Sequence, residues 1–132
     1  MQSVVFVFSS LEIFTDRCRR VYFTTEEPSE GAFMIVNAGL ASLFFEARFS
    51  AEEPAARARF DACRDMCTRN LEIALSQLNL MMPATLENIE ALAVSVSTLC
   101  ATGYPLFIFL YTSGYLCIIC GSILLKRQSL AV

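Results

Sequence analysis

The run FDACRDMCTRNLEIALSQLNLMMPATLENIEALA at residues 60–93 limits the folds open to this chain more than any other feature. Its apolar residues Phe60, Cys63, Cys67, Leu71, Ala74, Leu75 and Leu78 recur mostly at steps of three or four. That is the period of a helix with one buried stripe, whereas a half-buried strand alternates at every second residue. Asp61, Arg64, Asp65, Arg69 and Glu72 fall on the other face, where water can solvate them. Asp61 with Arg64 and Asp65 with Arg69 stand at helical spacing, and each such pair supports a helix by about 0.2–0.5 kcal/mol. Asn79 and Pro83 end the run, because proline lacks a backbone donor and disfavours helix in the residue before it. Thr85 is placed to cap a second helix, with Glu87 in its first turn against the positive end of the dipole. Leu86, Ile89, Leu92, Val96 and Leu99 continue on one face of that helix. The pattern predicts a helical hairpin with one buried seam.

Upstream, Phe33, Val36, Leu40, Leu43, Phe44 and Ala47 form another helical stripe, whose start is marked by Pro28 and Gly31. Glu52-Glu53-Pro54 opens the next helix, with acids at its N-terminus and proline in its first turn. Val21 to Phe23, the acidic turn at Glu26 to Pro28, Val36-Asn37, Gly39-Leu40 and Leu43-Phe44-Phe45 precede the run at 60–93 in that order. Together these segments resemble the middle homology region of the fungal-specific transcription factors, over about residues 21–95. The match lies in packing residues and not in chemistry. It implies an all-α fold, here a fragment of a helical regulatory domain. Residues 1–20 are then an N-terminal extension and residues 96–132 a divergent apolar tail. In that family the region lies between the DNA-binding and activating ends, restrains activity, and in some members senses small molecules or makes protein contacts. The resemblance therefore implies a non-enzymatic nuclear protein whose partner is a homologous transcription factor or a second copy of itself. The family's region runs for several hundred residues, so 132 residues are expected to correspond to a truncated form of it.

The family pairs this region with a zinc-cluster DNA-binding module, whose cysteines come in closely spaced pairs among basic residues. Here Cys18, Cys63, Cys67, Cys100, Cys117 and Cys120 are scattered along the chain, and histidine is absent. A structural zinc ion wants four tetrahedral nitrogen or sulfur ligands, so no metal site is expected. Ten basic against thirteen acidic residues give a net charge of −3. Phosphate contacts dominate affinity for DNA and need a basic face, so direct nucleic-acid binding is not expected. Arg17, Arg19 and Arg20 form the densest basic cluster and read as a solvated face rather than a nuclear signal.

No charged residue occurs from Ala91 to Leu125, and Lys126 and Arg127 follow at once. Residues 104–125 are almost wholly apolar, beginning Tyr104-Pro105-Leu106-Phe107-Ile108-Phe109-Leu110-Tyr111 and ending at Leu125. As a helix at ~1.5 Å per residue they reach ~33 Å, enough for a ~30 Å hydrocarbon layer. Tyr104 and Tyr111 near one end and the basic pair at the other resemble interfacial anchors. This span defines a second reading, a small tail-anchored single-pass membrane protein. Gly103, Pro105, Gly114 and Gly121 lower its helix propensity, and its aromatic and isoleucine content also suits two short strands turned at Ser113-Gly114. A buried core segment and a piece of non-homologous coding remain open as further readings. Val4 to Phe8 is an apolar run with no basic residue before it, and reads as a strand or helix end packing on the core rather than as a secretory signal. The chain carries no Asn-x-Ser/Thr sequon.

Catalytic chemistry has little to build on. Without histidine, the commonest general base and every Ser-His or Cys-His arrangement are absent. No phosphate-cradling glycine loop or nucleophile elbow is present either. Glu26-Glu27 and Glu52-Glu53 are adjacent acids, but neighbours in sequence point apart on a helix. Cys117 and Cys120 have redox spacing among isoleucines, where a thiol stays protonated and inert. Cys63 and Cys67 share a helix face and could chelate a soft metal, although two ligands are more simply small buried side chains. No catalytic, cofactor-binding or metal residue is therefore expected, and no cofactor.

Overall fold

A computed structural model describes residues 10–79 and 81–101 of the chain. Among these residues there are four helices and no strand: α1 (Leu11–Tyr22), α2 (Glu30–Ser50), α3 (Pro54–Ser76) and α4 (Leu86–Ala101). The all-α class holds for this part of the chain. The apolar run at residues 4–8, the span 104–125 and the thiols Cys117 and Cys120 lie outside the described residues.

Each helix starts for a local reason. Ser10 caps α1, its Oγ accepting from the Ile13 N–H at 3.3 Å, and Ser29 caps α2, accepting from the Ala32 N–H at 3.2 Å. Pro54 occupies the first turn of α3, where its missing N–H costs nothing. Between α3 and α4 the Asn79 side chain accepts from the Met81 N–H at 2.9 Å, closing a turn. Thr85 then caps α4, accepting from the Asn88 N–H at 3.2 Å, while the Asn88 amide donates back to the Pro83 carbonyl at 2.8 Å. The breaks at Asn79 and Pro83 and the cap at Thr85 stand where the sequence predicts them.

Helices α2 and α3 form an antiparallel hairpin around a short connection. Arg48 pairs with Asp61 next to that connection, while Asn37 meets Asn70 farther along, so the residue numbers converge on the turn. Helix α4 starts beside the start of α2: Ser29 donates to Glu87 at 3.1 Å, and a Cβ on Gly31 would lie 2.8 Å from the Asn88 Oδ1. That approach admits glycine and little else without displacing the tethered Asn88 side chain. Helix α1 adds Phe14, its one buried residue. The core gathers Met34, Ile35 and Ala38 from α2, Leu71 and Leu75 from α3, Leu78 just beyond it, and Ala91, Leu92, Val94 and Leu99 from α4.

Two expectations change. Of the stripe Phe33, Val36, Leu40, Leu43, Phe44 and Ala47, only Val36 is buried, and the others are half-exposed. Helix α2 is the central element, touched by α1, α3 and α4, so it is buried around most of its girth from Gly31 to Ala41. A one-stripe pattern cannot mark the inward face of a helix packed on several sides. Leu86, placed on the buried face of α4, is the helix's first residue and is 81% exposed. Helices α1 and α4 run through residues 20 and 95.

By length and composition α2 is the one described helix that could cross a membrane, with a mean hydropathy of 1.3 over its most apolar window. Its inward residues are those of a core helix. Asn37 is fully buried with its amide bonded, and Arg48 near the C-terminal end is ion-paired to α3.

Candidate functional site

The most organised polar group in the described residues is centred on Asn37. It stands alone among the apolar residues Met34, Ile35, Val36, Ala38 and Ala41, and its side chain is completely buried. Its Oδ1 accepts from the Tyr22 hydroxyl of α1 and from the Asn70 amide of α3, both at 3.0 Å. Its Nδ2 donates to the Phe33 carbonyl one turn back at 2.8 Å. One side chain thus joins three helices with each of its bonding atoms used, which is the condition for burying an amide without a large desolvation cost.

The thiols of Cys18, Cys63 and Cys67 lie near this centre and are free. Burial pushes the Cys67 thiol up to about 11, with the neighbouring Cys63 and Cys18 adding to the rise. Burial also raises Cys18, opposed by a backbone hydrogen bond, and it raises Tyr22, opposed by the bond to Asn37. Cys18 and Cys67 therefore hold their protons and are poor nucleophiles at neutral pH. Among the described residues no three His, Cys, Asp or Glu side chains converge as a metal site. The raised Cys67 value fixes the sign of a pH effect. The folded chain holds this proton more tightly than the unfolded chain, so the stabilisation is complete below about pH 9 and is lost as pH rises toward about 11. Urea midpoints measured across that window should fall, and Cys67→Ala should reduce the fall; an unchanged slope in the variant would refute the assignment.

An ion pair ties the two outer helices to each other. Arg17 of α1 forks onto Glu90 of α4 at 2.9 and 3.2 Å, with both side chains largely withdrawn from water. Arg20 pairs with Asp16 on the surface of α1, leaving Arg19 exposed. Two members of the basic cluster therefore meet acids, Arg17 between α1 and α4 and Arg20 on the surface.

At the α2–α3 turn the sequence reading needs correction. Asp61 and Arg64 are not on a fully solvated face and do not pair with each other. Asp61 reaches across to Arg48 at 2.8 Å, and the Arg64 guanidinium lies 4.5 Å from the Phe45 ring centroid. Phe44 meets Phe60 at 6.4 Å, and Phe45 meets Phe49 edge-on at 4.9 Å. The Arg64 guanidinium over the half-buried Phe45 ring is a cation–π contact between α3 and α2. The paired acids Glu26-Glu27 and Glu52-Glu53 are all exposed in the connections before α2 and α3.

None of these groups forms a nucleophile–base pair or an oxyanion-type cradle. Several large apolar side chains also face outward. Phe23 and Met81 are 84% and 85% exposed, and Phe49, Met66 and Ile73 also face water. Compared with protein-family models, with curated proteins and with solved structures, the chain matches none of them.

Proposed function

We propose that residues 21–95 act as part of a regulatory domain of the fungal transcription-factor type, without a DNA-binding module of their own, and that they work by protein contact in transcription regulation. The observation that supports this reading best is the pairing of an organised helical core with exposed large apolar side chains on α2, α3 and the flanking connections. Isolated apolar residues are common on protein surfaces, but several large ones around one helical hairpin suit a partner. The residues that carry the resemblance also serve that core: Val36 and Asn37 are buried, and Leu71 and Leu92 are fully enclosed. The partner is a homologous transcription factor or a second copy, and the place of action is the nucleus. The test is a reporter gene driven by a heterologous DNA-binding and activating fusion that carries the chain. Several-fold lower output than from the fusion alone is expected, and equal output would refute the reading.

The second reading, a tail-anchored membrane protein, rests on the absence of charge from Ala91 to Leu125. Alkaline carbonate extraction separates the two. If the full chain stays with membranes and a variant lacking residues 104–125 does not, the anchor is real and the regulatory reading falls to second place.

A further inference from the structure

Among the described residues, α4 covers only part of one seam on α2. Gly31, Ile35, Ala38, Ser42, Phe45 and Phe49 follow one another at steps of four, three, four, three and four, so they share one side of the helix. Gly31 sets that side against α4, since a Cβ there would lie 2.8 Å from the Asn88 Oδ1. Ile35 and Ala38 are buried in the core that also takes Ala91, Leu92, Val94 and Leu99 from α4. Both helices begin near the Gly31–Asn88 contact, so α4 stays against α2 by running in the same direction. It ends at Ala101, ~20 Å beyond Asn88 at ~1.5 Å per residue. On that scale Phe45 lies ~21 Å and Phe49 ~27 Å beyond Gly31. The seam outlasts the helix that covers it. Exposure rises accordingly, from 4% at Ile35 to half-exposed at Phe45 and 68% at Phe49. These last two rings meet edge-on at 4.9 Å and prolong the α2–α4 interface as an apolar patch.

The chain that leaves α4 can supply the cover. No charge follows Ala101 before Lys126, and Leu106 to Leu110 is an unbroken run of leucine, phenylalanine and isoleucine. An extended residue spans at most ~3.3–3.6 Å, so Leu106 can reach ~17 Å from Ala101, whereas Phe49 lies only ~8 Å past the end of α4. The other apolar run, residues 4–8, joins the fold at the far end. Helix α1 reaches Asn37 with its last residue, Tyr22, and meets the first turns of α4 through Arg17, so its start points away from Phe49.

We propose that residues 104–111 of the same chain dock on Phe45 and Phe49 and complete the α2 seam beyond the end of α4. Their aromatic and branched side chains suit two rings already set edge-on, because aromatic pairs gain from such geometry beyond the area they bury. The proposal goes beyond the regulatory reading. It competes with the membrane anchor, since one segment cannot cover this patch and lie in a bilayer.

Photocrosslinking of the full chain in intact cells tests this directly. The photoreactive p-benzoylphenylalanine replaces Phe49, an exposed ring for a ring, and the product is purified under denaturing conditions and mapped by mass spectrometry. The expected adduct joins position 49 to a residue between 104 and 111 of the same molecule, at the mobility of a monomer. The same probe at Met66, exposed on the outward side of α3, should give at least about tenfold less of it, because crosslinking needs contact. Phe107→Asp with Phe109→Asp should lower the yield from position 49 at least about fivefold, since a carboxylate resists burial among apolar groups. An adduct to lipid, to a second copy or to another part of the chain overturns the proposal. So does the lack of any adduct, or equal yields from the two probe positions. The expected adduct with an unchanged reporter would keep this contact and overturn the regulatory reading. Lowered reporter output without the adduct would do the reverse.

Discussion

Leu71→Ala is expected to cost about 2–5 kcal/mol, the range for truncating a large buried side chain whose site cannot fully collapse. Leu71 is completely enclosed on α3 and belongs to the same cluster as Met34, Ile35, Leu75 and Leu92, drawn from three helices. The loss is large against the roughly 5–15 kcal/mol that holds a domain folded. In a domain of this size each kcal/mol moves the midpoint by about 4–8 °C, so thermal unfolding should shift down by at least about 8 °C. Ile73→Ala is the control. It lies two residues away on the same helix but is 49% exposed, and its loss should stay below about 1 kcal/mol. Equal shifts for the two variants would mean that the inward face of α3 is wrongly assigned.

Asn37→Leu should destabilise the chain by about 1–3 kcal/mol although leucine has the same branching and is more apolar. The variant deletes the acceptor used by Tyr22 and Asn70 and the donor that meets the Phe33 carbonyl. Tyr22 is 47% exposed and can turn its hydroxyl to water, so the cost concentrates on the Asn70 amide and on the docking of α1. Amide exchange should therefore quicken more in α1 than in the hairpin, because α1 loses its Tyr22 tie to α2 and keeps Phe14 and Arg17. Tyr22→Phe removes one bond and should cost less than Asn37→Leu. An Asn37→Leu protein as stable as the parent, with α1 exchange unchanged, would contradict the three-helix role of this residue.

The sequence showed some of these features and hid others for physical reasons. The α3 stripe from Cys67 to Leu78 was legible because α3 buries one face only, and a one-sided helix writes its period into the chain. The caps and breaks at Pro54, Asn79, Pro83 and Thr85 were legible because they act within a few residues of themselves. Helix α2 was less so: contacts on several sides erase a single stripe, and the core positions Met34, Ile35 and Ala38 fall between the residues that the period picked out. The links Arg17–Glu90 and Arg48–Asp61 could not be read, since helical spacing reports only neighbours on one helix, and it pointed Asp61 to Arg64 instead. Asn37 left a signal that was open to reading. A lone amide inside Met34-Ile35-Val36-Asn37-Ala38-Gly39 invites the question of what bonds it, and the answer turned out to be two other helices.

The regulatory reading and the fold meet in one measurement: reporter output from the heterologous fusion carrying the intact chain, beside fusions carrying Leu71→Ala and Ile73→Ala at matched protein levels. If the folded domain is what acts, the intact chain and the surface-truncated Ile73→Ala variant keep the core and lower the output. Leu71→Ala releases it, because losing the core removes every face the domain could offer. Equal output from the intact chain and from Leu71→Ala would contradict the claim that this helical core carries the regulatory activity.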